Sequence, residues 1–341
     1  MSDVTSANID LISFTRALVD IDSTTGREGV AAAYLSRYLS EQGFTVVEQR
    51  VDDTRFNVFA FTAPDPKVVF STHFDCVPPF FPSRVEHGRI YGRGSCDAKG
   101  ILAAQVAAAD VLRAEGETRV GMLFVVGEER GSEGAKRANV DPAAKACRFL
   151  INGEPTDRRQ GLATRGLFRI VLRAAGKAAH SSFPELGDSA IDKLIDVLIE
   201  LRRTEFPSVP LLGRTHYTVG LISGGVAPNV VPPAAQAELT FRTVSEASTI
   251  VEILRRFEPR VALEPIFEVP PVSMATVDGF DAAVFPYTTD IPFLDAWGQP
   301  MLFGPGSIHV AHTSHEHLDI EEQQAAVGDY VTLASDLLTR V

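Results

Sequence analysis

The sequence predicts an α/β protein: a mostly parallel sheet with helices on both faces, interrupted by an inserted ferredoxin-like α+β domain. In the first half of the chain, short apolar strand patterns alternate with helix patterns, which is typical of parallel sheets. From about Arg165 the order changes to strand, helix, strand, strand, helix, strand. At 341 residues the chain is also long for one core. We therefore expect residues 1–164 and 275–341 to form one domain and residues 165–274 a second one.

The elements of the first domain follow from hydrophobic periodicity and run length. Helix-like spacing covers residues 10–20, 29–42 and 101–114, and apolar runs that predict buried strands cover residues 67–72, 120–126 and 149–152. Histidine or acidic residues follow each of these three strands closely. Because open α/β sheets bind ligands at the carboxyl ends of their strands, we expect a functional site at that edge.

The second domain shows shorter alternating patterns. Strands are predicted at residues 167–175, 215–222, 234–242 and 261–269, and helices at residues 189–203 and 245–257. Pro270 and Pro271 then break the pattern. The last segment, residues 278–341, contains a histidine-rich loop and a terminal helix, and it returns the chain to the first domain.

Composition and charge exclude several classes of function. A net charge of −12 argues against binding to nucleic acid, whose phosphates need a basic surface, and gives no reason to expect a membrane as partner. No apolar stretch reaches the roughly 18 residues that span a bilayer, and residues 1–18 lack the pattern of a signal peptide. Three cysteines are too few for a disulfide framework. These observations predict a cytoplasmic protein.

Histidines and carboxylates recur at positions that suit a metal centre. The candidates are His73 and Asp75, then Asp97, then the pair Glu128 and Glu129, then Glu154, and finally His312. Carboxylates brought together and removed from water repel one another unless cations neutralise them. Two histidines, two glutamates and one aspartate are nitrogen and oxygen ligands that Zn²⁺ accepts. The pattern therefore predicts a two-metal hydrolase.

With these groups in order, the chain resembles the zinc-dependent aminoacylase and carboxypeptidase family. That family includes acetylornithine deacetylase, succinyl-diaminopimelate desuccinylase and glutamate-releasing carboxypeptidases. The resemblance implies two zinc ions: His73 and Glu154 would bind one, Glu129 and His312 the other, and Asp97 would bridge them. It also implies that Asp75 orients the ring of His73, that Glu128 is the general base, and that the Asp97–Ala98 peptide is cis. Ala98 and Gly127 depart from the family's usual residues, beside the inferred ligands rather than at them.

The resemblance extends to the second domain and to the substrate. His180 matches a lid histidine that acts across a homodimer on the partner's site, and Asn229 and Arg242 match residues that bind the substrate carboxylate. The stretch from Gly304 to His312 is most similar to acetylornithine deacetylases. It implies hydrolysis of an N-acyl amino acid, with N-acetylornithine, an intermediate of arginine biosynthesis, as the first expectation.

Several alternatives remain open at the level of sequence. His309 or His315 can replace His312 as ligand, and Glu128 can be a solvated neighbour rather than a base. Cys76 and Cys96 can be thiolate ligands, although small buried residues fit them better. His180 and Arg242 can be ordinary surface residues.

The identity of the metal and the activity also have alternatives. Co²⁺ or Mn²⁺ suits the same ligands. The activity can instead be that of a succinyl-diaminopimelate desuccinylase or a metallo-carboxypeptidase, or the chain can be a non-catalytic binding paralogue.

Overall fold

The computed structural model describes residues 9–341, which form two compact units. Among these residues, the first unit comprises residues 9–162, Ser273–Ala283 and Thr289–Val341, and the second comprises Ala163–Val272 and Val284–Thr288. Residues 1–8 lie outside the described part, and so does much of the segment on which the signal-peptide expectation rests. Among residues 9–341, none of the helices combines the length and apolar character that crossing a bilayer requires.

Helices and strands alternate along most of the chain. The α-helices are α1 (Leu11–Val19), α2 (Gly29–Glu41), α3 (Lys99–Ala114), α4 (Glu133–Asn139), α5 (Ala190–Leu201), α6 (Ala247–Leu254) and α7 (Ile320–Leu338). The strands are β1 (Thr45–Arg50), β2 (Phe56–Phe61), β3 (Val68–His73), β4 (Arg84–Glu86), β5 (Arg89–Tyr91), β6 (Val120–Val125), β7 (Phe149–Asn152), β8 (Gln160–Thr164), β9 (Gly166–Ala175), β10 (Ser208–Val209), β11 (Gly213–Arg214), β12 (His216–Gly224), β13 (Ala234–Thr243), β14 (Ala262–Val269), β15 (Val272–Ser273), β16 (Ala282–Phe285), β17 (Gln299–Leu302) and β18 (His317–Asp319).

The first unit is built on a six-stranded sheet in the order β1-β2-β6-β3-β7-β17. Strands β6, β3, β7 and β17 are parallel to one another, whereas β2 pairs antiparallel with both β6 and β1 at one edge. Every residue of β3, β6 and β7 is buried, as expected for central strands covered on both faces. The predicted α/β class with a mostly parallel sheet is confirmed. The β1–β2 hairpin, which was not predicted, adds antiparallel pairings at one edge.

Both faces of this sheet are covered. Phe70 on β3 and Ile151 on β7 belong to a core shared with α1, α2, α3 and α7. The residues that precede them, Val69 and Leu150, belong to a second core that includes α4 and Trp297. Successive side chains of a strand point to opposite faces, which explains the division. Helix α3 is alanine-rich and packs against both α1 and α7.

The second unit contains an antiparallel sheet in the order β12-β13-β9-β14. Alternate residues of β13, including Leu239 and Phe241, are buried in a core shared with α5 and α6. The residues between them lie on the other face of the sheet. The chain order β9-α5-β12-β13-α6-β14 is the predicted ferredoxin-like pattern. The chain passes between the two units within β8, β15 and β16, and again between Thr288 and Thr289.

Candidate metal centre

Three groups of candidate ligands lie beyond the carboxyl ends of neighbouring strands. His73 is the last residue of β3, Glu128 and Glu129 follow β6, and Glu154 follows β7. Strands β6, β3 and β7 are adjacent and parallel, so their carboxyl ends meet at one edge of the sheet. The fold therefore brings together residues that are up to 81 positions apart, as in the buried hydrogen bond from Thr72 Oγ1 to the Gly153 carbonyl.

Asp97 and His312 come from loops and complete the cluster. His73 Nε2 lies 3.0 Å from Asp97 Oδ1, and His312 Nε2 lies 3.2 Å from Asp97 Oδ2. His312 Nε2 is also 2.9 Å from Glu129 Oε1. Asp97 thus presents one oxygen to each histidine. One ligand atom from each of His73, Asp97 and Glu129 falls within 4.8 Å of the others. The Asp97–Ala98 peptide is cis, as expected.

Glu154 is buried beside this group without a partner for one of its oxygens. Its side chain is 5% exposed, and Oε1 makes no hydrogen bond within the described residues. A buried carboxylate oxygen that lacks a donor is costly, and a cation is one means of satisfying it. The donor set and this unsatisfied oxygen fit a metal centre of nitrogen and oxygen ligands.

Asp75 links His73 to the loop that carries the glutamate pair. Its Oδ1 accepts a hydrogen bond from the Glu128 backbone N–H at 3.0 Å, and its Oδ2 accepts one from the Glu129 N–H at 3.2 Å. Thr25 Oγ1 donates to the same Oδ2 at 2.9 Å. His73 Nδ1 lies 3.0 Å from the Asp75 backbone oxygen and 3.4 Å from its carboxylate. The backbone carbonyl is thus the nearer acceptor for Nδ1–H, and the carboxylate mainly holds the glutamate loop.

The electrostatics of the cluster favour cationic histidines before any metal binds. Burial opposes the charge on His73, but hydrogen bonds to Asp75 and Asp97 outweigh it and hold the pKa of His73 well above its usual value. Hydrogen bonds to Asp97 and Glu129 raise the pKa of His312 to about 10. Burial is the main cause that raises the pKa of both Glu128 and Glu154, and the negative charge of Glu154 adds to the effect on Glu128.

The other histidines and the cysteines near the cluster have different surroundings. His309 and His315 are exposed, and His312 is the histidine of this loop that contacts Asp97 and Glu129. Cys76 and Cys96 are buried. Burial raises the pKa of the Cys76 thiol to about 11 and that of Cys96 well above its usual value, so both favour the neutral thiol over the thiolate that binds metals.

Glu316 fixes the loop that carries Asp97. Its Oε1 accepts backbone hydrogen bonds from Gly94 at 2.9 Å, from Cys96 at 3.2 Å and from Asp97 at 3.1 Å. Its Oε2 accepts a hydrogen bond from Arg93 Nη1 at 2.5 Å, and this ion pair is buried. Since Glu316 follows His312 by four residues, it joins the loops of two candidate ligands. No local sequence pattern indicated the hydrogen bonds of Glu316.

Asp290 is a second residue that sequence reasoning missed. It is 1% exposed, and neither carboxylate oxygen has a close hydrogen-bond partner within the described residues. Burial raises its pKa to about 7 against the opposing effect of the nearby Ser132 side chain, and the negative charge of Asp75 adds to the rise. Its charge in turn contributes to the raised pKa values of Glu128 and Glu154. No spacing signal in the sequence connected Asp290 with the earlier motifs.

His180, Asn229 and Arg242 lie in the second unit, whereas all the candidate metal ligands lie in the first. His180 and Asn229 are exposed and on adjacent segments, since His180 pairs with Val230 and the Ser181 N–H donates to the Asn229 carbonyl at 3.0 Å. The Ser182 N–H donates to His180 Nδ1 at 3.2 Å, which places the ring proton on Nε2. Arg242 is half-buried near the end of β13.

Solved structures share this fold along nearly the whole chain. Aminopeptidase PepT from Bacillus cereus superimposes with a TM-score of 0.78 at 20% identity, covering 95% of this chain and 96% of PepT. The YXEP protein of Bacillus subtilis, described as a dinuclear metal binding peptidase from the M20 family, has a TM-score of 0.73 at 16% identity and covers 97% and 98%. At these identities the likeness shows the fold.

Comparison with known sequences identifies the family as well as the fold. A probable carboxypeptidase of Aspergillus terreus is 38% identical over 366 aligned positions, which cover 94% of this chain and 84% of that protein. The sequence profile described as peptidase family M20/M25/M40 matches residues 69–336, a range that begins just before His73 and ends after His312. The chain therefore belongs to peptidase family M20/M25/M40.

Proposed function

We propose that this protein is a metal-dependent hydrolase that cleaves the amide bond of an N-acyl amino acid, with N-acetylornithine as the first substrate to test. The observation that carries the proposal is the convergence of His73, Asp97, Glu129 and His312. Glu154 is buried close enough to interact electrostatically with them, and one of its oxygens lacks a hydrogen-bond partner within the described residues. A second candidate is a carboxypeptidase that removes the last residue of a peptide. The name of the Aspergillus terreus relative favours it, and both reactions cleave an amide next to a free carboxylate.

The ligand set would hold two zinc ions, or Co²⁺ or Mn²⁺, in the arrangement that the family resemblance implies. His73 and Glu154 would serve one ion and Glu129 and His312 the other, with Asp97 between them. When bound, such ions act as Lewis acids and lower the pKa of water. The remaining chemistry belongs to the side chains of the protein.

Glu128 is the residue best suited to move the proton. It is next to a candidate ligand, its backbone N–H is fixed by Asp75, and its own carboxylate is not needed for the ligand set. It would accept a proton from the attacking water and deliver it to the nitrogen of the departing amine. The Nε2–H of His180 would donate a hydrogen bond to the acyl oxygen as negative charge develops there. Asn229 and Arg242 would bind the free carboxylate of the substrate.

Amine release from a panel of substrates tests the proposal directly. Metal-stripped protein is assayed with and without Zn²⁺ on N-acetylornithine, N-acetylcitrulline, succinyl-diaminopimelate and a short dipeptide. We expect cleavage of an acetylated amino acid only after zinc is restored. Cleavage of the dipeptide alone supports the carboxypeptidase candidate instead. Protein that has bound two metal ions and releases no amine from any member contradicts the proposed hydrolysis.

Zinc binding is expected to release protons. At pH 7 the metal-free protein holds a proton on His73 and on His312, because both pKa values lie above 7, and each imidazole must lose it to bind a metal. The apparent zinc affinity should therefore rise with pH up to about 10, the pKa of His312. Calorimetric titration in buffers of different ionisation enthalpy measures the number of protons, which we expect to be about two or more. Binding without proton release contradicts the assignment of these histidines as ligands.

We also propose a homodimer formed through the second unit. Strand β12 is at the edge of its sheet and exposes apolar side chains, with Leu221 66% and Ile222 61% exposed. Exposed apolar edge strands favour pairing with another copy. If His180 acts on the partner's site, mixing equal amounts of His180→Ala and Glu128→Gln should restore about one quarter of wild-type activity after subunit exchange, because half of the dimers carry one intact site. A fully active monomer in sedimentation and assay contradicts this role.

A further inference from the structure

Three basic side chains meet at one end of the second unit's sheet. Arg165 directly precedes β9, His216 begins β12, and Arg242 is the second-last residue of β13. Within residues 9–341, the polar contacts of these three side chains are to backbone oxygens, a hydroxyl group and one another, and none is to a carboxylate. Two guanidinium groups that lack a counter-ion among the described residues favour an anion from outside the chain.

Arg165 sets the orientation and tautomer of His216. Its Nη1 lies 2.7 Å from His216 Nδ1 and donates to the Arg214 carbonyl at 3.0 Å, while Nη2 donates to the Leu212 carbonyl. A guanidinium group can only donate hydrogen bonds, so Nδ1 of His216 must accept. The ring proton is then on Nε2, the nitrogen that faces away from Arg165. His216 is therefore presented as a hydrogen-bond donor, and it is exposed.

Arg242 lies beside this donor. His216 and Arg242 are directly opposite in the antiparallel pairing of β12 and β13. Opposed residues project from the same face of a sheet, with Cβ atoms about 5 Å apart. The hydrogen bond of the Arg242 side chain within the described residues is a long one, 3.5 Å from Nη1 to Thr288 Oγ1. Most of the N–H groups of this half-buried guanidinium are therefore available to a ligand.

We propose that His216 Nε2–H and the Arg242 guanidinium bind one carboxylate group together, with Arg165 as the positioning residue for His216. The inference rests on the proposed function, and it deepens that function: the substrate must carry a free carboxylate. An imidazole N–H and a planar guanidinium on the same face of the sheet can together donate hydrogen bonds to both oxygens of a carboxylate. A carboxamide replaces one acceptor oxygen by an NH2 group, so either His216 or Arg242 would face an N–H group and lose its hydrogen bond.

Kinetics on a matched pair of substrates tests this role. The pair is the best N-acyl amino acid of the panel and its C-terminal amide. For His216→Ala we expect KM of the acid to rise about tenfold, with kcat within about twofold and little change for the amide, because one charge-assisted hydrogen bond is lost. His216→Gln, which keeps an N–H donor, should recover much of the loss. Thr218→Ala changes the next residue on the same face of β12 and is the control, expected to match wild type.

NMR of the His216 ring tests the carboxylate site independently of the proposed hydrolase activity. In protein labelled with ¹⁵N-histidine, we expect the Nε2–H tautomer at His216 and a mixture of tautomers in Arg165→Met. N-acetyl-leucine should shift the His216 Nε2 resonance, and N-acetyl-leucinamide should not. That shift in a protein that cleaves no panel member supports the carboxylate site and contradicts the hydrolase. Turnover with an unmoved His216 resonance, or an acid-to-amide preference unchanged in His216→Ala, overturns the carboxylate site.

Discussion

Glu128→Gln is expected to lower kcat by about 10²- to 10⁴-fold, the usual contribution of a positioned general base. The substitution keeps the size of the side chain and removes its ability to accept a proton. Burial and the charge of Glu154 raise the pKa of Glu128, so the carboxyl group can hold a proton between its removal from water and its transfer to the amine. Because the carboxylate is outside the inferred ligand set, two metal ions should still bind.

Turnover and metal content must be measured on the same preparation. Glu133→Gln is the matched control, since Glu133 begins α4 just after the same loop, its side chain is 46% exposed, and its nearest cation, Arg55 Nη1, is 4.0 Å away. We expect near-wild-type kcat for this control. Wild-type turnover of Glu128→Gln with both metals bound would remove Glu128 from the mechanism.

Sequence alone predicted the elements whose local pattern is strong. The central strands β3, β6 and β7 are continuous apolar runs because both of their faces are buried, and the structure has them within one or two residues of the prediction. The edge strand β1 was missed, since most of its residues are at least partly exposed and carry no clear apolar alternation. Periodicity reports burial, so an edge strand in contact with water gives a weak signal.

The candidate site, like the fold, could be predicted from the sequence only in part. Histidine and carboxylate motifs at strand ends can be read from the sequence because residue type and strand order together imply a shared edge. Asp290 and the contacts of Glu316 cannot, because they depend on tertiary packing of segments far apart in the chain. The hydrogen bonds of Glu316 join residues more than 200 positions apart. No pattern within a window of sequence contains that information.

The buried pair of Arg93 and Glu316 gives the second large expected effect. Glu316→Gln is expected to lower the free energy of unfolding of the metal-free protein by about 3–5 kcal/mol, because removing one partner leaves the other charge buried and unpaired. Arg93 is 2% exposed and Glu316 is fully buried in this pair. A glutamine has one acceptor oxygen, which can serve either Arg93 or the three backbone N–H groups of the Asp97 loop, but not both.

Measuring the zinc affinity of Glu316→Gln distinguishes a general loss of stability from a displacement of the Asp97 loop. If Glu316 acts by holding Asp97, the variant should bind zinc more weakly even under conditions in which it is fully folded, by about 10- to 100-fold, as is usual when a group that orients metal ligands is removed. The double variant Arg93→Met/Glu316→Gln removes the unpaired cation and should recover part of the lost free energy of unfolding. Its zinc affinity should stay low if the remaining glutamine does not reproduce the three backbone hydrogen bonds of the Asp97 loop. Asp319→Asn, in the exposed pair with Arg89, is the control and should change stability by less than about 1 kcal/mol. Folded Glu316→Gln with wild-type zinc affinity would show that the Asp97 loop keeps its position without the carboxylate.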